Sequence, residues 1–150
     1  MPDHRRDRQG SVCMNRRSLL ISIILLAGAF LIFRSFQPPE QPASGDVMAN
    51  VTVPQLSAQA QVGDTLFNRS CASCHGENAA GKDGIAPPLV HKIYEPNHHA
   101  DAAFHLAAKN GVRAHHWQFG NMAPVEGVTD SELDTIVIYV RELQRANGIN

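Results

Sequence analysis

Cys71-Ala72-Ser73-Cys74-His75 places two thiols and an imidazole within five positions, and three chemistries compete for such a group. A redox C-x-x-C pair calls for a preceding strand and a βαβ context, which this strand-poor sequence does not supply. A tetrahedral zinc site needs further Cys or His ligands at matched spacing. No cysteine follows Cys74, the third cysteine is the distant Cys13, and a histidine adjacent to the second thiol suits a tetrahedron poorly. The remaining chemistry is covalent haem attachment. Two thiols add to the vinyl groups along one porphyrin edge, and the histidine that follows lies beneath the iron as its axial ligand. This reading uses all three residues at once.

The elements that must position them are helical. Ser57 can cap a helix carrying Val62, Leu66 and Phe67 on one side and running into Cys71, with Gly63 as a place of close approach. Near the other end, Thr129-Asp130-Ser131-Glu132 is a capping box, and Leu133, Ile136, Val137, Val140 and Leu143 form an apolar stripe that stops near Asn147-Gly148. A shorter helix is predicted from Asp101 to Lys109, with Phe104 and Leu106 inside and Asn110-Gly111 as its stop. Nothing between Gly76 and His99, or between Gly111 and Val128, reads as a regular element. Three or so helices joined by long loops bury little apolar surface alone. A haem disc fixed at several points supplies the missing core.

The remaining third of the chain reads differently. Ser18 to Phe33 is uncharged and almost wholly apolar, about 24 Å of helix; with Ser35 and Phe36 it approaches the ~30 Å hydrocarbon core. We read it as an uncleaved membrane anchor, the alternative being a signal peptide cleaved after Ala27-Gly28-Ala29. Arg16-Arg17 also resembles a twin-arginine export signal. Arg5, Arg6, Arg8, Arg16 and Arg17 precede the segment and Arg34 alone follows closely, so the N-terminus is expected inside and the rest outside. Four prolines between residues 37 and 54 predict an extended linker. The expected organisation is a cytoplasmic tail over 1–17, a transmembrane segment over 18–36, a Pro-rich linker over 37–55 and a folded domain over 56–150. Residues 51 to 150 hold seven Lys and Arg against ten Asp and Glu, which argues against a nucleic-acid partner.

Residues 56 to 147 resemble a class I c-type cytochrome. Gly63 and Phe67 ahead of "CASCHG", "APPL" at 86–89, a late methionine in "GNMAPV" and the helix "ELDTIVIYVREL" stand in that family's order. The resemblance implies a small all-α fold, three or more helices and long loops around one covalent haem c. It implies that Gly63 packs against Tyr139, that the Pro87 carbonyl accepts a hydrogen bond from His75, and that Leu89 lies on the haem edge. Trp117 would donate its indole N–H to a haem propionate, as a tryptophan does in some relatives, or be simply a half-buried loop aromatic.

Met1 and Met14 precede the apolar segment and Met48 lies in the linker, leaving Met122 as the methionine of the folded region. We expect it as the sixth iron ligand. Ala123 separates it from Pro124, where many relatives have proline directly after the methionine. The rival is a bis-histidine haem through His115 or His116. His98-His99 and His115-His116 could alternatively form a surface site for copper or another metal, or be solvated.

With both axial positions filled, an electron carrier is the expected function rather than an enzyme. Its expected partners are a membrane and redox proteins, with no small-molecule substrate, and its expected place is a bacterial inner membrane with the haem domain in the periplasm. The alternatives are a haem enzyme or ligand sensor with a labile sixth ligand, and a metal-handling module built on the histidine pairs.

Overall fold

Hydrophobic periodicity and helix caps account for nearly all the regular structure in a computed structural model that describes residues 15–36 and 43–150. Among the described residues there are five α-helices, two short 3-10 turns and no strand. The expected tail over 1–17 falls mostly on residues 1–14, outside the described residues, as does Cys13.

The first unit is helix α1, Arg16–Ser35, whose start is capped by Asn15 accepting from the Arg17 N–H. Its 20 residues span about 30 Å, the thickness of a bilayer's hydrocarbon core. Its apolar side chains are exposed along its whole length, as at Leu26 and Phe33. The helix is long and apolar enough to cross a membrane.

The second unit begins at Pro42 and holds α2 (Ala58–Ser70), α3 (Ala72–His75), α4 (Asp101–Asn110) and α5 (Asp130–Ala146). Ser57 caps α2 through the Ala60 N–H, and the Thr129–Glu132 capping box starts α5. The buried face of α2 is Ala60, Gly63 and Phe67. Val62, expected on the inward side, is 54% exposed, because the helix turns that position away from α5.

Helices α2 and α5 cross at Gly63. A Cβ there would stand 2.8 Å from the Tyr139 Cβ and closer still to the Thr135 carbonyl, so only glycine lets the two backbones approach this closely. The Phe67 and Tyr139 rings then meet at 5.6 Å between centroids, tilted by 55°, a favourable aromatic arrangement. Both are fully buried, with Val140 and Leu143. At the two ends of the crossing, Glu142 accepts from the Ser57 N–H and hydroxyl, and Arg69 pairs with Glu132 at 2.9 Å.

Glu132 therefore serves both the capping box and the α2–α5 contact. The Thr129 backbone N–H, then the Arg69 guanidinium and the Thr129 hydroxyl, hold its carboxyl down to about 2. A carboxyl whose pKa is depressed on folding stabilises the fold above its unfolded pKa of ~4.3 and loses that contribution as pH falls toward 2. Acid unfolding followed by circular dichroism should show stability falling from about pH 5 downward. Glu132→Gln should lower stability at neutral pH and flatten that dependence; an unchanged pH profile would remove Glu132 from the account.

The stretch 43–55 has no regular helix or strand, and its backbone groups find partners on the domain. Gly45 N–H donates to the Asp83 carbonyl, Asp83 N–H to the Asp46 carbonyl and Ala49 N–H to the Ala80 carbonyl. Further on, Thr52 exchanges two hydrogen bonds of 2.9 Å with the Asn147 side chain. Backbone groups that find partners on the domain surface dock the strand-like segment there. Phe36, which caps α1, and residues 37–42, outside the described residues, lie between that helix and this stretch.

Arg141, on the core face of α5, is 6% exposed. It donates to the Tyr94 and His99 carbonyls, to Gln144 Oε1 and to Asp101 Oδ1, and its guanidinium carbon lies 4.9 Å from the Phe104 ring centroid. Hydrogen bonds to a charged group contribute about 1.5–3 kcal/mol each, so one side chain fixes the loop that precedes α4 and the start of α4 itself. The sequence signal was an arginine in register with the apolar stripe.

Candidate haem site

The loops predicted to lack regular structure wrap a cavity of about 760 Å³, with mostly apolar walls, a size typical of cofactor sites. Cys71 enters it from the junction of α2 and α3, Cys74 and His75 from α3, Pro87 and Leu89 from the loop after it, and Trp117 and Met122 from the loop between α4 and α5. The structure thus brings together every one of the residues predicted for the site. Leu106, expected inside α4's buried face, lies instead on the cavity wall and is 59% exposed.

Helix α3 is a single turn. Cys71 and Cys74 lie near the same side of it by their three-residue spacing, and His75 N–H donates to the Cys71 carbonyl at 2.9 Å. The His75 ring is oriented from behind: Nδ1–H donates to the Pro87 carbonyl at 2.9 Å, leaving Nε2 with its lone pair. Burial lowers the His75 pKa, only partly offset by that hydrogen bond, so the ring is held in the neutral form a metal requires. The Pro87 loop is brought back by Gly81, at φ +77°. A Cβ on Gly81 would stand 2.5 Å from the Pro88 nitrogen, and Gly81 N–H donates to the His75 carbonyl at 2.7 Å.

Cys71 and Cys74 are not bonded to each other. Burial, then the neighbouring Cys74, push the Cys71 thiol up to about 11, against a small opposing effect of Arg69.

Met122 is placed by an isolated bridge with Val112, N–H to carbonyl in both directions at 2.9 and 3.0 Å. Gly111 permits it: at φ +72°, its missing Cβ would stand 2.5 Å from the Met122 carbonyl. The sequence marks Gly111 as a helix stop; its close contact with the methionine loop required the tertiary structure.

Trp117 stacks on Phe119 and meets the His91 ring edge-on at 5.2 Å. Its buried Nε1 has no hydrogen-bond partner among the described residues. Tyr94, whose phenol pKa is raised by burial and lowered slightly by Trp117, lies near it without hydrogen-bond geometry. An orphaned buried donor at the edge of an apolar cavity fits an acidic group of a bound cofactor.

The remaining histidines are accounted for differently. His91 Nδ1 accepts from the Ile93 N–H, and His105 pairs with Asp134. His99, His115 and His116 also reach the cavity wall, but they stand against one another and His98. The His115 and His116 ring centroids are 4.3 Å apart and those of His98 and His116 5.4 Å. Loss of hydration, then His115, His99 and His98, lower the His116 pKa.

An all-α domain with a C-x-x-C-H turn, a carbonyl-oriented histidine and a facing methionine loop around an apolar cavity defines a covalent-haem protein of class I type. The family described as Cytochrome c matches residues 60–144, and the chain belongs to that family. It is an electron-transfer haem protein with covalently bound c-type haem. No curated relative and no solved structure matches the chain.

Proposed function

We propose that this cytochrome passes single electrons between redox proteins at a membrane, with Cys71 and Cys74 as the haem attachment points and His75 and Met122 as the axial ligands. The observation that carries this reading is the His75 Nδ1–Pro87 carbonyl bond of 2.9 Å, which aims the free ring nitrogen into the cavity that Met122 also lines. The bound haem supplies a one-electron couple, and a thioether ligand favours its ferrous state. His75 keeps its orientation through Pro87, Leu89 covers an edge of the cavity, and Trp117 offers its unpaired indole N–H to a propionate. Apolar walls exclude water and limit the reorganisation that accompanies each transfer. With both axial positions taken by side chains, no substrate finds an open site, which favours a carrier over an enzyme.

Helix α1 serves as the anchor. Five arginines precede or open it and Arg34 alone closes it, which favours an inside N-terminus and a haem domain on the periplasmic side of a bacterial inner membrane. Since 43–55 is docked on the domain, the proposed boundaries become 16–36 for the anchor with its cap, 37–42 for the connection and 43–150 for the cytochrome. The full chain should sediment with membranes and resist extraction by salt or alkali. A chain starting at Pro42 behind a cleavable signal should be soluble and still red. A mature protein beginning at Phe30 would show that the apolar segment is a removed signal. The near-infrared spectrum of the ferric protein tests ligation directly, since sulfur and bis-imidazole ligation give different charge-transfer bands.

A further inference from the structure

Four histidines from two separate loops meet where His99, His115 and His116 reach the cavity wall, and none of the four is among the residues proposed to hold the haem. His98 and His99 stand just before α4; His115 and His116 belong to the loop that carries Trp117 and Met122. One ring nitrogen from each of His98, His99 and His116 lies within 4.8 Å of the other two. We propose that these three histidines bind one first-row divalent cation, copper(II) most tightly, with His115 as the adjacent fourth imidazole.

The separations suit a metal better than a hydrogen-bonded pair. His98 Nε2 and His116 Nε2 are 3.4 Å apart, long for a hydrogen bond. Two imidazole nitrogens at ~2.0–2.1 Å from one ion lie about 2.9 Å apart at adjacent square-planar positions and about 3.3 Å apart in a tetrahedron, so the pair stands close to either spacing and the choice of ion rests on the donor set. The rings are also set in advance. His99 Nδ1–H donates to the Ile93 carbonyl at 2.7 Å, which leaves Nε2 as the nitrogen with a free lone pair, the usual arrangement behind a metal-bound histidine. His115 Nδ1–H is likewise spent on the Arg113 carbonyl at 2.8 Å. The backbone of His99 is held by the buried Arg141, so the loop is fixed before any ion arrives.

The donor set selects the ion. Three imidazoles without a carboxylate do not suit calcium or magnesium, which take oxygen ligands. Imidazole suits copper, zinc and nickel, and among divalent first-row ions affinity peaks at copper(II). His98 and His116 are exposed, so the ion reaches the site from solvent and keeps open positions for water.

The test uses the full-length haem-loaded protein in detergent, titrated separately with Cu2+ and Zn2+ alone by calorimetry, with electron paramagnetic resonance of the copper samples. One copper per chain is expected, its spectrum coupled to at least two imidazole nitrogens. A His98→Ala, His116→Ala double variant should bind it at least about 100-fold more weakly, more than the loss of a supporting partner alone costs, with an unaltered haem spectrum. His105→Ala, which removes a histidine paired elsewhere, should bind copper as the wild type does. No stoichiometric binding, copper signals without imidazole coupling, or equal affinity in the double variant would each overturn the site. Zinc binding more tightly than copper would overturn its assignment to copper.

Discussion

Met122→Ala is expected to leave the haem attached and to open the iron on its far side. Cys71, Cys74 and His75 enter from the start and body of the α3 turn, while Met122 stands on the loop between α4 and α5, so removing the sulfur leaves the other attachments in place. The ferric spectrum should turn partly high-spin and lose its sulfur band, and carbon monoxide or cyanide should bind far more readily. Met122→His should instead stay low-spin. Because imidazole donates more strongly than a thioether and so favours the ferric state, its reduction potential should fall by about 0.1 V or more, a fraction of the ~0.8 V that axial ligation spans. His115→Ala and His116→Ala should leave spectrum and potential where they were. If Met122→Ala changed nothing and one of the histidine variants did, a bis-histidine haem would replace the proposed pair.

The Cys71→Ala, Cys74→Ala double variant should lose haem entirely on denaturing electrophoresis, where the wild type keeps it. Its effect should extend to the fold. Without haem, the mostly apolar walls of a cavity of about 760 Å³ lose their packing partner and meet water, in a domain whose whole stability is expected to be only ~5–15 kcal/mol. The four helices of the domain touch mainly through α2 and α5, and the loops around the cavity have little else to pack on. The purified double variant should therefore lack a cooperative thermal transition in circular dichroism and should be readily cleaved by protease in the 76–99 and 111–128 loops. Haem released from the wild-type chain by denaturant would end the covalent reading, and a double variant that unfolded like the wild type would show that the protein core suffices alone.

The attachment turn, the capping box and the apolar run were legible in the sequence because each is a local pattern. Cys71 and Cys74 are joined by a single helical turn, Thr129 and Glu132 by the first turn of α5, and Ser18 to Phe33 by uninterrupted hydropathy. Such features are set by residues three or four apart, so spacing alone carries them. The family's sequence order also placed Gly63 at Tyr139 and Pro87 at His75, and the structure has both: a Cβ added to Gly63 would stand 2.8 Å from the Tyr139 Cβ, and His75 Nδ1 lies 2.9 Å from the Pro87 carbonyl.

What the sequence could not supply depends on residues far apart along the chain. That 43–55 is docked follows from hydrogen bonds between Thr52 and Asn147, and between Ala49 and Ala80, which no window around the prolines contains. Arg141 reads locally as a charge interrupting an apolar stripe; only the packing of α5 against the 94–101 loop adds the Tyr94 and His99 carbonyls and the Asp101 carboxylate to Gln144 as acceptors for its guanidinium, and so makes a buried charge tolerable. Val62 obeyed helical periodicity but faces solvent, because the angle at which α2 crosses α5 is set by the Gly63 contact and not by the count of apolar residues. The histidine pairs show the same division: each pair is visible in the sequence only as two adjacent letters, while the convergence of His98 and His99 with His116 is a property of two loops braced by Arg141, Ile93 and the Val112–Met122 bridge. Local spacing determines which chemistry a segment can hold, and the tertiary contacts decide which segments hold it together.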